Sequence, residues 1–195
     1  MTADPLKGYR DKQTARIGSP PCGRAAHRPI FVIQKHRAST VHYDFRLEID
    51  GVLKSWAVPK GPSTDPRDKR LAIETGDHAL GYADFEGVIP AGQYGSGTVM
   101  VWDIGAYDRA AGDSERSLAE CWADGHLHVL LHGDKIRGGY ALTHFRTEGR
   151  TRQWLLIKTD DAEADARRKP VRTENRSALT GRSMADIQRA DDDHA

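Results

Sequence analysis

Cysteine is nearly absent from this chain of 195 residues, which has only Cys22 and Cys121. Two are too few for a disulfide framework or a cysteine-rich zinc site. Long apolar runs are missing too: no stretch approaches the roughly 20 residues that a membrane span requires. The opening MTADPLKGYRDK has no apolar segment of the secretory type, so export is not expected. An excess of one charge is also lacking, since 29 Lys and Arg stand against 28 Asp and Glu for a net charge of +1. That balance excludes a uniformly basic nucleic-acid coat but leaves room for a local basic groove. The expectation is a cytoplasmic chain with no membrane partner, its length suiting one domain with irregular ends.

Residues 1–29 read as an N-terminal arm. Gly, Pro and basic residues dominate it, and neither the strand nor the helix period appears. Residues 160–195 read as a charged, flexible tail, because DDAEADARRKPVRTENR has almost no large apolar side chain to offset chain entropy. Within that tail SMADIQRA suits a short helix with Ser183 as its N-cap.

The core is expected in residues 30–159, which alternate like a sheet protein. From Thr40 to Ile49, Val41, Tyr43, Phe45, Leu47 and Ile49 share one face, while His42, Asp44, Arg46 and Glu48 share the other. Asp50-Gly51 is a hairpin signal, and Val52–Val58 reads as the return strand. Further strands are expected at Ile30–Gln34, Arg70–Glu74, Gly97–Ile104, His126–Leu131, Tyr140–Phe145 and Trp154–Lys158, with a helix at Ser114–Trp122. The fold class is all-β: a compact β-barrel of about eight strands with one or two short helices. The four Trp residues are assigned to the core.

Candidate chemistry concentrates on the polar face of Thr40–Ile49. His42, Asp44 and Arg46 recur every second residue, in a row with about 6.5–7 Å between neighbours. A solvated outer face accounts for one such residue without any function. A His and an Asp followed by Arg also suit metal-assisted phosphate chemistry, in which imidazole and carboxylate hold a divalent ion and a guanidinium forks onto phosphate oxygens. His36, just before the turn, can fold back to join His42 and Asp44. A second cluster, His78 and Tyr82, lies in a Gly-bounded segment and could serve a phosphoryl oxygen. The Gly92–Gly97 stretch lacks the GK[ST] ending of a phosphate loop and reads as a hairpin turn. His126, His128 and His132 have no nearby carboxylate before Asp134 and read as a solvated strand face. Ser55 and Ser63 have no His–Asp partners for acyl transfer. Lys54, Lys60, Arg67, Lys69 and Arg70 concentrate positive charge after the proposed site, as a groove for a nucleic-acid strand would.

FVIQKHRASTVHYDFRLEIDGVLKSWAVPKGPS (31–63), DHALGYADFEGVIPAGQYGSGTVMVWDIGAYD (77–108) and the closing LHGDKIRGGYALTHF and WLLIK together resemble the 3′-phosphoesterase domain of bacterial ATP-dependent DNA ligase D. The resemblance spans roughly residues 31–159. It implies a β-barrel that trims DNA 3′ ends in nonhomologous end-joining: a terminal 3′ ribonucleoside is removed, and the remaining 3′-phosphate becomes a 3′-hydroxyl. It implies manganese as the preferred metal, with cobalt or zinc as alternatives, held by His36, His42 and Asp44. A phosphate pocket of Arg46, His78 and Tyr82 follows from it, supported by Gln34, Lys60 and Arg70. Implied partners are primer–template 3′ ends and an end-joining ligase, a polymerase or Ku proteins, in a nucleoid-associated setting.

The departure is in the arm. With Tyr9 and Lys12 aligned, Gln13, Thr14 and Ala15 stand where the family reads Arg, Asp and Phe, and Pro20 falls at the position of its Glu. This bears mainly on the ribonucleoside-removing step, and it favours a rival reading: a catalytically weak DNA-end-binding module that recruits repair partners. A phosphoesterase for small molecules is a further alternative. The chain leaves no room for a ligase or polymerase portion, and SALTGRSMADI is similar to the linker after this domain in fused ligases, so a stand-alone protein and an excised module both fit.

Overall fold

The computed structural model describes residues 28–110 and 116–192. The predicted arm therefore lies almost wholly outside the described residues, as do the departures at positions 13–15 and 20. Nine strands form one antiparallel sheet: β1 (Ile30–Arg37), β2 (Val41–Ile49), β3 (Val52–Val58), β4 (Lys69–Ala79), β5 (Gly87–Ile89), β6 (Gly97–Arg109), β7 (His126–His132), β8 (Arg137–Glu148) and β9 (Thr151–Lys158). Their order is β1-β2-β3-β4-β9-β8-β7-β6-β5, and β1 also pairs with β6, which closes the sheet into a ring. The all-β, barrel-like expectation holds. The short β5 is the strand that alternation does not reveal. Three short helices occur among the described residues, α1 (Leu118–Ala123), α2 (Pro170–Thr173) and α3 (Met184–Asp192), together with a 3-10 turn at Leu80–Tyr82.

Local chemistry explains these boundaries. Asp50 (φ 50°) and Gly51 (φ 79°) both take the left-handed conformation of a two-residue hairpin turn, so Ile49 pairs with Val52. The expected helix at Ser114–Trp122 begins only at Leu118, where Ser117 and Glu120 form a reciprocal capping box; residues 114 and 115 lie outside the described residues. The loop at residues 90–96 is the hairpin turn expected for the Gly92–Gly97 stretch, joining β5 to β6.

Two apolar clusters sandwich the ring wall. The inner one holds Phe31, Tyr43, Phe45, Leu47, Trp56, Trp102 and Trp154. Trp122 is only partly buried at its edge, with Lys54 Nζ 3.9 Å from the ring centroid. The smaller outer cluster contains Ile30, Val32, Leu53, Ala83, Val101 and Ile104, covered by Leu80, Tyr82, Ala178 and Leu179. This outer cover is why the polar face of β2 is not solvated: Asp44, Arg46 and Glu48 are all buried.

The reading of residues 160–195 as a flexible tail needs correction as far as residue 192. Ser183 and Asp186 cap α3 reciprocally, and Met184 and Ile187 join the inner cluster. Trp102 Nε1 donates to Glu174 O at 2.6 Å, and Ala178 N donates to Val101 O at 2.9 Å. The segment is fixed by polar contacts to the barrel more than by burial of its own side chains, so a composition argument does not find it.

Candidate active site

The site is assembled on the outer face of β1–β3. Antiparallel pairing sets His36 opposite His42, Gln34 opposite Asp44, and Arg46 opposite Ser55. Partners in a register share a sheet face, so these six side chains are brought together by the backbone alone. His78 arrives differently. Along β3 and β4, Leu53 pairs with His78 but Ser55 pairs with Thr75, so β4 carries one extra residue between them. A bulge of this kind switches the faces of the residues that follow. Without it His78 would point into the ring.

His36, His42 and Asp44 each offer one ligand atom, and these three atoms lie within 4.8 Å of one another. His36 Nδ1 is 3.7 Å from Asp44 Oδ2, and His42 Nε2 is 3.6 Å from Asp44 Oδ1. Both separations exceed a good hydrogen bond. They match donors sharing one ion, which stand about 3.4 Å apart when each is about 2.1 Å from it in tetrahedral array. His36 Nε2 is buried without a hydrogen-bond partner, and His42 Nδ1 lies 3.3 Å from Thr40 O, a contact that puts a ring proton on Nδ1 and turns Nε2 toward Asp44. Two imidazoles and a carboxylate suit a transition-metal dication, so the residues fit the group that the sequence implies. Burial works against ionisation of Asp44, yet His36, His42 and Arg46 together outweigh it and hold the carboxyl well below its usual range. Asp44 in turn raises the pKa of His42.

Arg46 is the hub. Its Nε donates to Gln34 Oε1 at 2.7 Å, Nη1 to Ser55 Oγ at 2.8 Å, and Nη2 to Asp44 Oδ2 at 3.0 Å. Three of its five N–H groups are thus committed, and one remains on each terminal nitrogen. Gln34 is itself held, since its Nε2 donates to Tyr82 O at 3.0 Å and Phe85 O at 3.2 Å. Arg46 Cζ lies 5.2 Å from the Tyr82 ring centroid, and that ring is 4.9 Å from the His78 ring and 5.0 Å from Phe85. His78 Nδ1 is 2.9 Å from both Arg46 Nη1 and Gly76 O. Burial, with Arg46 adding to it, lowers the His78 pKa, so the imidazole is neutral at neutral pH. Burial raises the Tyr82 pKa, which keeps the phenol protonated.

The structure therefore gathers Gln34, His36, His42, Asp44, Arg46, His78 and Tyr82 into one constellation. Lys60 and Arg70 stand apart. Lys60 is exposed beyond the end of β3, and Arg70 donates to Asp68 Oδ2 at 2.7 Å. Neither is bonded to the constellation among the described residues. Ser55 and the carbonyl of Phe85 belong to the site but carry no chemical motif. Ser55 was within reach of counting, because the Asp50-Gly51 turn fixes its pairing with Arg46.

Fold and site together define a closed antiparallel β-domain with a His–His–Asp cluster beside an arginine-centred polar pocket. The family model described as the DNA Ligase D 3′-phosphoesterase domain matches residues 34–144, a span that holds all seven gathered residues. The chain belongs to that family. It is 46% identical over 168 residues to the multifunctional non-homologous end joining protein LigD of Pseudomonas aeruginosa, covering 84% of this chain and 19% of that protein. The corresponding figures are 45% over 159 residues (78% and 19%) for the multifunctional non-homologous end joining DNA repair protein LigD of Mycobacterium tuberculosis. For the LigD of Mycolicibacterium smegmatis they are 38% over 164 residues (82% and 21%). The chain thus spans about a fifth of the length of the curated relatives it matches.

Proposed function

We propose that this chain is a metal-dependent phosphoesterase that processes DNA 3′ ends, converting a 3′-phosphate to a 3′-hydroxyl, in double-strand break repair by nonhomologous end-joining. The observation that carries the reading is the adjacency of the His36–His42–Asp44 donors to Arg46, joined by the Asp44–Arg46 bond of 3.0 Å. A cation bound by these donors, manganese in the reading favoured here, supplies Lewis-acid polarisation of a phosphoryl oxygen. Arg46 offers the phosphate the remaining N–H of Nη2, and that of Nη1 where His78 does not take it, as charge-assisted donors. Asp44 stays ionised and balances the guanidinium. When Nδ1 of His78 accepts from Arg46 Nη1, the ring proton sits on Nε2, where it donates to a phosphoryl oxygen. The Tyr82 phenol is a second neutral donor beside it. Donors fixed before the reaction stabilise developing charge without reorganising, and loss of one such donor typically lowers turnover roughly 100–1,000-fold.

The test is phosphate release from a primer–template ending in a 3′-phosphate, with manganese present. Wild-type protein is expected to leave a 3′-hydroxyl, while His42→Ala and Asp44→Ala reduce release at least roughly 100-fold and keep the wild-type circular dichroism. Binding of the DNA without any product from the wild type would replace this reading with the end-binding module. Full activity in either variant would remove the metal assignment. Competition by free nucleotides distinguishes a small-molecule phosphoesterase.

A further inference from the structure

Five large hydrophobic side chains are exposed among the described residues, and one differs from the rest: Tyr94 is 91% exposed, against 49% for the next, Phe145. An aromatic ring held in water gains nothing from the fold itself. Its position is specific, however. Gly87, Val99, His36 and His42 are successive partners across β5, β6, β1 and β2, so one cross-strand row runs from the β5–β6 hairpin into the His–His–Asp cluster. The loop at residues 90–96 that closes this hairpin lies just beyond the row, at the end of the sheet where the cluster opens.

The loop is built to stay there. Gln93 N donates to Pro90 O and Ser96 N to Gln93 O, giving two successive turns. At its foot Gly97 (φ +132°) is so close to β1 that a Cβ would meet Arg37 O at 2.2 Å. Tyr94 is near enough to Arg46 that a phenolate there would favour the guanidinium, so its ring belongs to the surroundings of the phosphate pocket.

We infer that Tyr94 is the stacking platform for the terminal nucleobase of the DNA strand whose 3′ phosphate occupies the pocket, a positioning role that rests on the end-processing reading. A phosphate seated at Arg46 carries its sugar and base outward, past the rim. A nucleobase is a flat apolar ligand, and stacking on an aromatic ring is tolerant of sequence because every base has a π-face. An enzyme acting on ends of any sequence needs a contact of that kind.

The experiment measures binding of a 3′-phosphate primer–template by fluorescence anisotropy, with the terminal nucleotide either normal or abasic. Tyr94→Ala is expected to weaken binding of the normal end roughly tenfold and to leave the abasic end unchanged, while Tyr94→Phe stays within about twofold of wild type. In steady state Tyr94→Ala raises KM on the normal end by a similar factor, with kcat within about twofold. Equal binding of both ends by wild type and Tyr94→Ala, or an equal loss on both ends, overturns the inference. Base-dependent binding through Tyr94 without phosphate release would keep it and remove the hydrolytic reading. Phosphate release that is indifferent to Tyr94 would do the reverse.

Discussion

At the scale of single residues, Arg46 shows why charge alone does not describe the pocket. Its guanidinium ties Gln34, Ser55 and Asp44 into one plane of donors and acceptors, and its side chain is 3% exposed. A lysine at this position keeps the positive charge but offers a single tetrahedral nitrogen in place of the fork. Gln34 Oε1 and Ser55 Oγ would then lose a donor inside a buried cluster, at a cost of about 1–3 kcal/mol for each acceptor left unsatisfied. Arg46→Lys is therefore expected to lower kcat/KM on a 3′-phosphate primer about 100–1,000-fold, and the two lost acceptors lower the melting temperature by roughly 4–24 °C. A variant that turns over within about threefold of wild type would show that the fork is unimportant. His78 adds a pH argument. Its folded pKa is depressed, so the neutral ring persists to lower pH than a free histidine would allow.

At the scale of elements, legibility follows from whether an interaction is local. The β2–β3 hairpin could be read residue by residue, because alternation and an Asp-Gly turn fix both faces and register. From that register alone His42, Asp44, Arg46 and Ser55 fall on one surface. What alternation cannot give is the extra residue in β4, which decides the face of His78, or the cover over the polar side of β2. That cover depends on Glu86, 4% exposed, whose carboxylate accepts from Val101 N at 3.2 Å, Thr180 Oγ1 at 2.8 Å, Arg182 Nη2 at 3.2 Å and Ser177 Oγ. Partners more than 90 residues away in sequence leave no periodic trace. Glu86 follows Phe85, whose carbonyl holds Gln34, so the segment at residues 177–182 braces the pocket from behind. Glu86→Ala leaves several donors without an acceptor and is expected to cost about 2–4 kcal/mol. Amide exchange should quicken selectively in residues 80–86 and 177–182, with β7–β9 keeping their protection. Uniform quickening, or none, would show that the carboxylate does not hold this cover.

At the scale of the whole molecule, closure of the ring holds the β1–β2 hairpin, which carries the ligand set, between β3 and β6. β1 pairs with both β2 and β6, and the ligand set is divided between β1 (His36) and β2 (His42 and Asp44). The unfolded chain does not hold these donors together, so a dication that binds them favours the folded state. The gain is about 2.7 kcal/mol when free ion is 100-fold above its Kd. For a chain of this size each kcal/mol moves Tm by roughly 2–4 °C, so saturating manganese should raise the melting temperature by about 5–10 °C. Magnesium should do less, since imidazole donors suit transition metals better than hard cations. His42→Ala should abolish the manganese shift without requiring any assay of turnover. Melting that ignores millimolar manganese, or that responds equally in His42→Ala, would mean that the three donors do not act as one site. The pocket would then be an arginine-centred phosphate site alone, and the chemistry assigned to it would have to come from His78 and Tyr82 without a metal.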